Sequence, residues 1–371
     1  MPAADFYGST KKNGYIRQKP YVGKGCFKPQ NMKRIRALST PGLRILALLV
    51  ACGIVLTVWL AKTRPAAPVN PPVKMVIAGL SLPGAGLFFV AKAQGFFRRQ
   101  GLDVDLQLHA TGKGALDSLF RGDADFAIAG DTPMVFSILA GRKLDILSTV
   151  YRPNGGIAII ARKDRAATPG ELKGKRIGVS MVSSGQFFAD TFLLVNGIPS
   201  SSVTLVDMSQ EAMAEALLAG TIDAACLWQP YLAEMQARLG DKGVTFPNDA
   251  LYTFRLSLVA RRGYAEVHPV RARKLLAALK QAQRYTIDQP AIALDIMSKA
   301  SGIARATFQG FFDPTEYELG LDQGLLLTLD DQTRWAIKHG FVKTGKLPNY
   351  LDYIYSGGLA AVSPESVKII R

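Results

Sequence analysis

Apolar positions along this chain switch between two periods. Lys74–Leu80 is β-branched and apolar, and predicts a strand. A Ser/Pro/Gly turn follows, then a helix with Leu87, Val90 and Ala91 on one face. "GLDVDLQLHA" alternates as a second strand, "GKGALDSLFRG" is a short amphipathic helix, and "ADFAIAG" is a third strand ending at Gly130. About a hundred residues later the order repeats. Arg176–Ser180 predicts a strand, and a Ser/Gly turn leads to a helix through Phe188, Phe192 and Val195. "SSVTLVDMS" is the next strand, "QEAMAEALLAG" the next helix, and "IDAACLW" the third strand. The fragments "LFRGDADFAIAGDTPMVF" and "LLAGTIDAACLWQPYLAEM" carry the repetition most plainly.

Alternation of strands and helices predicts parallel sheets with right-handed crossovers. Two units with matching turns predict two similar α/β lobes, and a chain of 371 residues is long enough for its core to divide. Between the copies, strands are expected at Asp145–Val150 and Gly156–Ala161, followed by a polar break at Arg162–Gly170. After the second copy a strand returns at Thr253–Ala260, and helices follow at Val270–Thr286, Ala291–Ala300 and "LDDQTRWAIKHG", where Gly340 suits a helix end. Chain crossings are expected near Arg162–Thr168 and Leu251–Arg255. Residues 73–165 plus 256–371 would then form lobe 1, and residues 166–255 an inserted lobe 2.

Ahead of the lobes, "ILALLVACGIVLTVWLA" (Ile45–Ala61) carries no charge. Its 17 residues span about 25 Å as a helix, short for a hydrocarbon core of about 30 Å unless Arg44 and Lys62 snorkel. Lys33, Arg34, Arg36 and Arg44 precede it, which puts the N-terminal side in the cytoplasm and the body outside. Residues 43–62 are therefore expected to be a signal-anchor or signal helix that leaves the body outside the cytoplasm. Cleavage near Ala61 and lipidation at Cys52, within "LVAC", are the alternatives. Residues 1–42 are a basic leader or cytoplasmic tail, whose first 31 residues also fit an over-extended start. Residues 63–72, "TRPAAPVNPP", form a Pro-rich spacer.

Charge alters this picture little. The net charge is +16, yet the first 72 residues hold twelve basic side chains against the single acid Asp5. The rest carries 33 basic against 28 acidic residues. A surplus concentrated in a leader does not predict nucleic-acid binding, which needs a basic face on the folded part. Cys26, Cys52 and Cys226 leave the body without an internal disulfide. His109, His268 and His339 are too scattered for a metal site; no metal and no cofactor are expected. "ATGKGAL" lacks phosphate-loop spacing and reads as a helix start.

The stretches "AKAQGFFRRQGLDVDL", "GDADFAIAGDTPMV", "LKGKRIGVS", "LAGTIDAACLWQPYLAEM" and "KLPNYLDYIYSGGLAAV" together resemble the periplasmic solute-binding proteins of ABC importers, type II fold. The likeness is greatest to the nitrate/sulfonate/taurine and thiamine-pyrimidine-precursor group, and it covers about Val73 to Val362. The family pattern more often has W-E-P-Y where this chain has Trp228–Gln229–Pro230–Tyr231. That departure removes a carboxylate from the expected site. The resemblance implies a monomeric binding protein that delivers a small anionic or zwitterionic solute to an ABC permease. An anchored ligand sensor and a pyrimidine-precursor-type binding protein or enzyme are the rivals. No G-x-S-x-G, H-E-x-x-H or Cys/His pair supports catalysis, and no catalytic residue is expected.

In open α/β sheets ligands bind beyond the carboxyl ends of strands. Those ends supply the candidate ligand-binding residues: Ser81 and Leu82; Gly130, Asp131 and Thr132; Tyr151; Ser183, Ser184, Gly185 and Gln186; and Trp228 with Gln229. Serine hydroxyls and the Gln186 amide would donate to an anion, and Trp228 would form an apolar wall. Plainer roles stand beside these: Ser183 and Ser184 as helix caps, Trp228 as a core aromatic, Asp131 as the cap of a following helix. If Asp131 faced the cleft, it would favour a ligand carrying a donor group such as an amine.

Overall fold

The computed structural model describes residues 71–246, 251–343 and 346–370. The anchor or signal helix expected at 43–62 lies outside the described residues. Among the described residues no helix is long and apolar enough to cross a membrane.

Ten strands build two sheets. In chain order they are β1 (Val73–Leu80), β2 (Leu102–His109), β3 (Phe126–Gly130), β4 (Leu144–Tyr151), β5 (Ile157–Arg162), β6 (Arg176–Val179), β7 (Thr204–Asp207), β8 (Ala224–Trp228), β9 (Gly243–Phe246) and β10 (Leu256–Arg261). One sheet has the order β2-β1-β3-β10-β4, the other β7-β6-β8-β5-β9. In the first, β1 runs parallel to β2 and β3, while β10 is antiparallel to β3 and β4. In the second, β6 runs parallel to β7 and β8, while β5 is antiparallel to β8 and β9. The sheets therefore match strand for strand, and each takes its antiparallel fourth strand from a segment beside a crossing. The fold is a two-lobed α/β arrangement, as the repeated sequence predicts.

The lobe boundary differs from expectation at one point. β5 belongs to the second lobe, so the first crossing falls at residues 152–156 rather than at Arg162–Thr168. The physical reason is packing on both faces: Ile157, Ile159 and Ala161 enter one apolar cluster of the second sheet, Ala158 and Ile160 the other. A strand buried on two faces reads as a continuous apolar run, and such a run does not name its sheet. The return crossing lies between Phe246 and Leu256.

The duplicated fragments have duplicated chemistry. Each second helix ends on a left-handed glycine, Gly122 (φ 89°) and Gly220 (φ 72°), a conformation that side chains with a Cβ resist. Each third strand is then preceded by an aspartate that clamps the first strand. The Asp125 carboxylate accepts the Val76 N–H at 2.9 Å, and the Asp223 carboxylate accepts the Arg176 N–H at 2.9 Å. In both, the aspartate's own N–H donates back to the same residue's carbonyl.

A helix follows each third strand, Asp131–Leu139 after β3, which starts at Asp131 rather than being capped by its side chain, and Tyr231–Leu239 after β8, which goes beyond the sequence expectation. Their prolines, Pro133 and Pro230, look like breaks but sit at helix starts, where a missing N–H costs little. Helix Gln323–Lys338 of lobe 1, capped by Asp322, crosses to lobe 2. Its Trp335 packs on Phe187 at 5.5 Å between ring centres and donates from Nε1 to Asp190 at 2.8 Å.

Candidate functional site

Six helical segments begin at the carboxyl ends of six strands, three in each lobe. In lobe 1 they are the turn Pro83–Ala85 leading into helix Gly86–Ala93, helix Gly112–Arg121 and helix Asp131–Leu139. In lobe 2 they are helices Ser184–Val195, Gln210–Ala219 and Tyr231–Leu239. Residues from all six starts line one cleft of about 550 Å3. Helix starts present N–H groups without intrahelical partners and the positive end of the helix dipole. A cleft built from them favours negative charge without a cationic side chain.

Side-chain caps fix three of these starts. Thr111 Oγ1 accepts the Gly114 N–H at 3.1 Å, Ser183 Oγ the Gly185 N–H at 3.0 Å, and Ser209 Oγ the Ala212 N–H at 3.2 Å. Ser183 also donates to the Ser180 carbonyl at 2.7 Å. Gly84 lets the first turn press on β10, since a Cβ there would sit 1.9 Å from a Leu256 methyl.

Between the helix starts the wall is apolar. Leu82, Tyr151, Phe254 and Leu256 face Ile157, Val182 and Trp228 across the cleft. Two charged side chains join the lining. Lys113 comes from lobe 1 and pairs with Asp117 at 2.8 Å. Glu211 comes from lobe 2 and accepts the Tyr231 hydroxyl, a bond that holds its carboxyl below the usual range.

Of the residues expected from sequence, Leu82, Gly130, Tyr151, Ser183, Ser184, Trp228 and Gln229 lie in the cleft wall. Ser81, Asp131, Thr132, Gly185 and Gln186 do not. Ser81 is exposed, and its N–H is bonded to the His109 carbonyl. Gly185 is buried at the helix start, where its carbonyl accepts the Cys226 thiol. Gln186 caps its own helix instead of reaching the cleft, its Oε1 accepting the Val182 N–H at 2.7 Å. Thr132 is fully buried between the lobes, bonded to Ser184 at 2.9 Å and Gln332 at 2.7 Å.

Asp131 is the largest correction. It is fully buried and accepts the Tyr252 hydroxyl at 2.9 Å and the Arg255 N–H at 3.0 Å, both through Oδ2. Burial pushes its pKa up to about 7, against the opposing pull of the Arg255 guanidinium and these two donors. It therefore offers a ligand no carboxylate. Trp228 does face the cleft, with its backbone N–H held by Gln210 Oε1 at 3.1 Å. Cys226 is buried in the second core, and burial pushes its thiol up. Among the described residues no group of three or more His, Cys, Asp or Glu side chains is placed to hold a metal ion.

The sequence reading missed Thr111, Gly112, Lys113, Ser209, Gln210, Glu211, Tyr231 and Phe254. A signal for the first six existed: β2 and β7 are also followed by capped helices, so their carboxyl ends belong to the same rim. No local signal marks Phe254, which enters through a chain crossing.

Comparison with known proteins agrees with this architecture. A Brucella abortus protein named as a binding protein is 24% identical over 279 residues, 72% of this chain and 85% of its own length. The taurine-binding periplasmic protein of Escherichia coli is 24% identical over 221 residues, 58% of this chain and 68% of its own. Among solved structures, the periplasmic aliphatic sulphonate binding protein SsuA of Escherichia coli superimposes with a TM-score of 0.67 at 18% identity, covering 74% of this chain and 94% of that one. The desulfurization enzyme DSZB shares the fold with a TM-score of 0.59 at 16% identity, covering 79% and 99%. The NMT1/THI5 like family model matches residues 83–293, and the chain belongs to that family.

Proposed function

We propose that this protein is the substrate-binding component of an ABC-type importer. Its cleft takes a small organic anion of the sulfonate type between the lobes and delivers it to a permease in the inner membrane. The observation that carries this reading is the convergence of six helix starts on one apolar cleft. N–H groups would hold the anionic head, and Trp228, Tyr151 and Phe254 would cover an apolar body. A hydrogen bond to a charged group nets about 1.5–3 kcal/mol. Three or four such bonds approach the roughly 8 kcal/mol of micromolar affinity before ordering costs. The names of sulfonate- and taurine-binding relatives support the same class of ligand.

The protein works on the periplasmic side of the membrane, held there by residues 43–62. Ligand bridging the lobes stabilises the closed form, which the permease recognises. Catalysis is the weaker reading, because Cys226 is buried with its thiol pushed up and points to the Gly185 carbonyl.

Thermal unfolding of the full chain with alkanesulfonates, taurine, nitrate, pyrimidines and small carboxylates tests the proposal. A sulfonate at 100 times its dissociation constant adds about 2.7 kcal/mol of stability. A flat response to every sulfonate would sink the reading, and turnover of any of these compounds would favour an enzyme.

A further inference from the structure

The folded body hides a charge asymmetry. Residues 73–371 carry 33 basic and 28 acidic side chains. Two helical segments of lobe 1, residues 86–99 and 269–288, hold eight of those basic residues and one acid, Asp288. Without them the body has slightly more acids than bases. The body's basic surplus is therefore confined to one place.

These segments pack together into a single ridge. Phe96 meets Tyr285 edge-on at 5.9 Å between ring centres, and the Arg99 guanidinium lies 4.4 Å over the Phe96 ring. Lys274 Nζ reaches to Gly101, within 3.4 Å of where a Cβ would stand. Lys280 is paired with Glu365 at 3.6 Å, and Arg271 donates to the Tyr264 hydroxyl. Lys92, Arg98, Arg99, Arg273, Lys274 and Arg284 form no ion pair among the described residues. Besides Glu365, Asp103, opposite Lys74 in the β1–β2 register, and Asp288 are acids beside them.

The ridge also marks where the chain enters the body. The Val73 N–H, at the start of β1, donates to the Gly101 carbonyl at 2.9 Å, and the Gly101 N–H donates to the Arg98 carbonyl. This is the end of the sheet opposite the cleft. Immediately upstream in the sequence come the ten-residue Pro-rich spacer and, before it, the uncharged run Ile45–Ala61.

The geometry points to the basic ridge as a docking surface for anionic phospholipid headgroups. Its charge complements such a surface, and each basic residue near an anionic leaflet adds to adhesion. Docked there, lobe 1 holds the cleft away from the bilayer, open for collecting solute, and must lift off to deliver it. This goes beyond solute binding and does not depend on which solute is bound.

The test uses the full chain reconstituted in nanodiscs of neutral phosphatidylcholine, or of the same lipid with phosphatidylglycerol. Lysines are acetylated briefly and read by mass spectrometry. Lys92 and Lys274 should label at least about threefold more slowly in the anionic discs, and about 0.5 M salt should abolish the difference. Lys173 and Lys242, on the other lobe, should label equally in both. The combined substitutions Arg98→Glu, Arg273→Glu and Arg284→Glu should remove the protection with an unchanged melting temperature. If that variant fails to fold, the salt titration of the unaltered chain decides. Equal labelling of Lys92 and Lys274 in the two discs would overturn the proposal. So would protection by duplex DNA without protection by anionic discs.

Discussion

Thr132 of lobe 1 and Ser184 of lobe 2 share a hydrogen bond at 2.9 Å between buried hydroxyls. Thr132 also donates to Gln332 at 2.7 Å, and Gln332 in turn donates to Tyr252 at 3.1 Å. A polar chain thus joins the lobes beside the segment that crosses between them. Thr132→Val keeps the shape and deletes the hydroxyl, leaving Gln332 Oε1 and Ser184 without this partner in a buried site. The expected loss is about 2 kcal/mol, read from urea unfolding. A double-mutant cycle with Ser184→Ala should show coupling of about 1 kcal/mol. Additive losses would mean that the two hydroxyls do not support each other.

Asp131 makes stability depend on pH. Its folded pKa of about 7 stands above the ordinary value of 3.8. Below about pH 4 both states keep the proton. As pH rises, the unfolded chain ionises first while the folded protein holds its proton, so stability falls up to pH 7 and levels off above it. Asp131→Asn removes this contribution. The stability of the unaltered protein relative to the Asn variant should therefore shrink between pH 4 and 7, by at most about 4 kcal/mol. Glu316, also pushed up to about 7, chiefly by burial, is present in both proteins and cancels. Urea titrations at pH 4.5, 6 and 7.5 measure the difference; a constant gap would contradict the shift.

The same residue shows where sequence reading stops. Strands were legible because β3, β5 and β8 are covered on both faces and write continuous apolar runs. The repeat was legible because its glycines and aspartates serve the same joints twice. The sheet to which β5 belongs was not, since alternation reveals a strand but not its neighbour. The helix after "GDTP" was legible only as one that Asp131 would cap; the helix begins at Asp131 itself, whose side chain makes no such cap. Strand ends identified Ser183 and Trp228 correctly as cleft residues. They misplaced Asp131 because its partners Tyr252 and Arg255 lie 121 and 124 residues away. An aspartate at a strand end looks exposed until the chain returns to bury it.

Val182 is, among the described residues, the one non-glycine at positive φ, 56°, and the residue is 47% exposed in the cleft wall. A β-branched residue in this region costs about 1–3 kcal/mol. Glycine would relieve that strain while adding about 0.5–1 kcal/mol of unfolded-state entropy. Strain is the larger of the two, so Val182→Gly should stabilise the unliganded protein by about 1 kcal/mol. Losing the isopropyl group should weaken an apolar-bodied anion by about threefold to tenfold. Calorimetry of both proteins checks the two signs together; a destabilised variant with unchanged affinity would remove Val182 from any role in the cleft.

Glu211 adds a negative charge to a cleft lining that otherwise presents helix starts and Lys113. The Tyr231 hydroxyl keeps it ionised, and it faces the same space as Lys113 from the other lobe. A simple alkanesulfonate held at the helix starts would feel repulsion from this carboxylate. A ligand with an ammonium group at its far end would be attracted instead. At a separation of about 8 Å and an effective dielectric of about 40, either effect is about 1 kcal/mol, or roughly fivefold in affinity. Glu211→Gln should therefore tighten binding of an alkanesulfonate and weaken binding of an amino-sulfonate of the same length. The tyrosine hydroxyl keeps an acceptor in the Gln variant, so the helix start is preserved. Isothermal titration with ethanesulfonate and taurine on both proteins gives the comparison. Opposite shifts would identify the carboxylate as the element that reads a cationic end, whereas parallel shifts would show that Glu211 acts on fold alone.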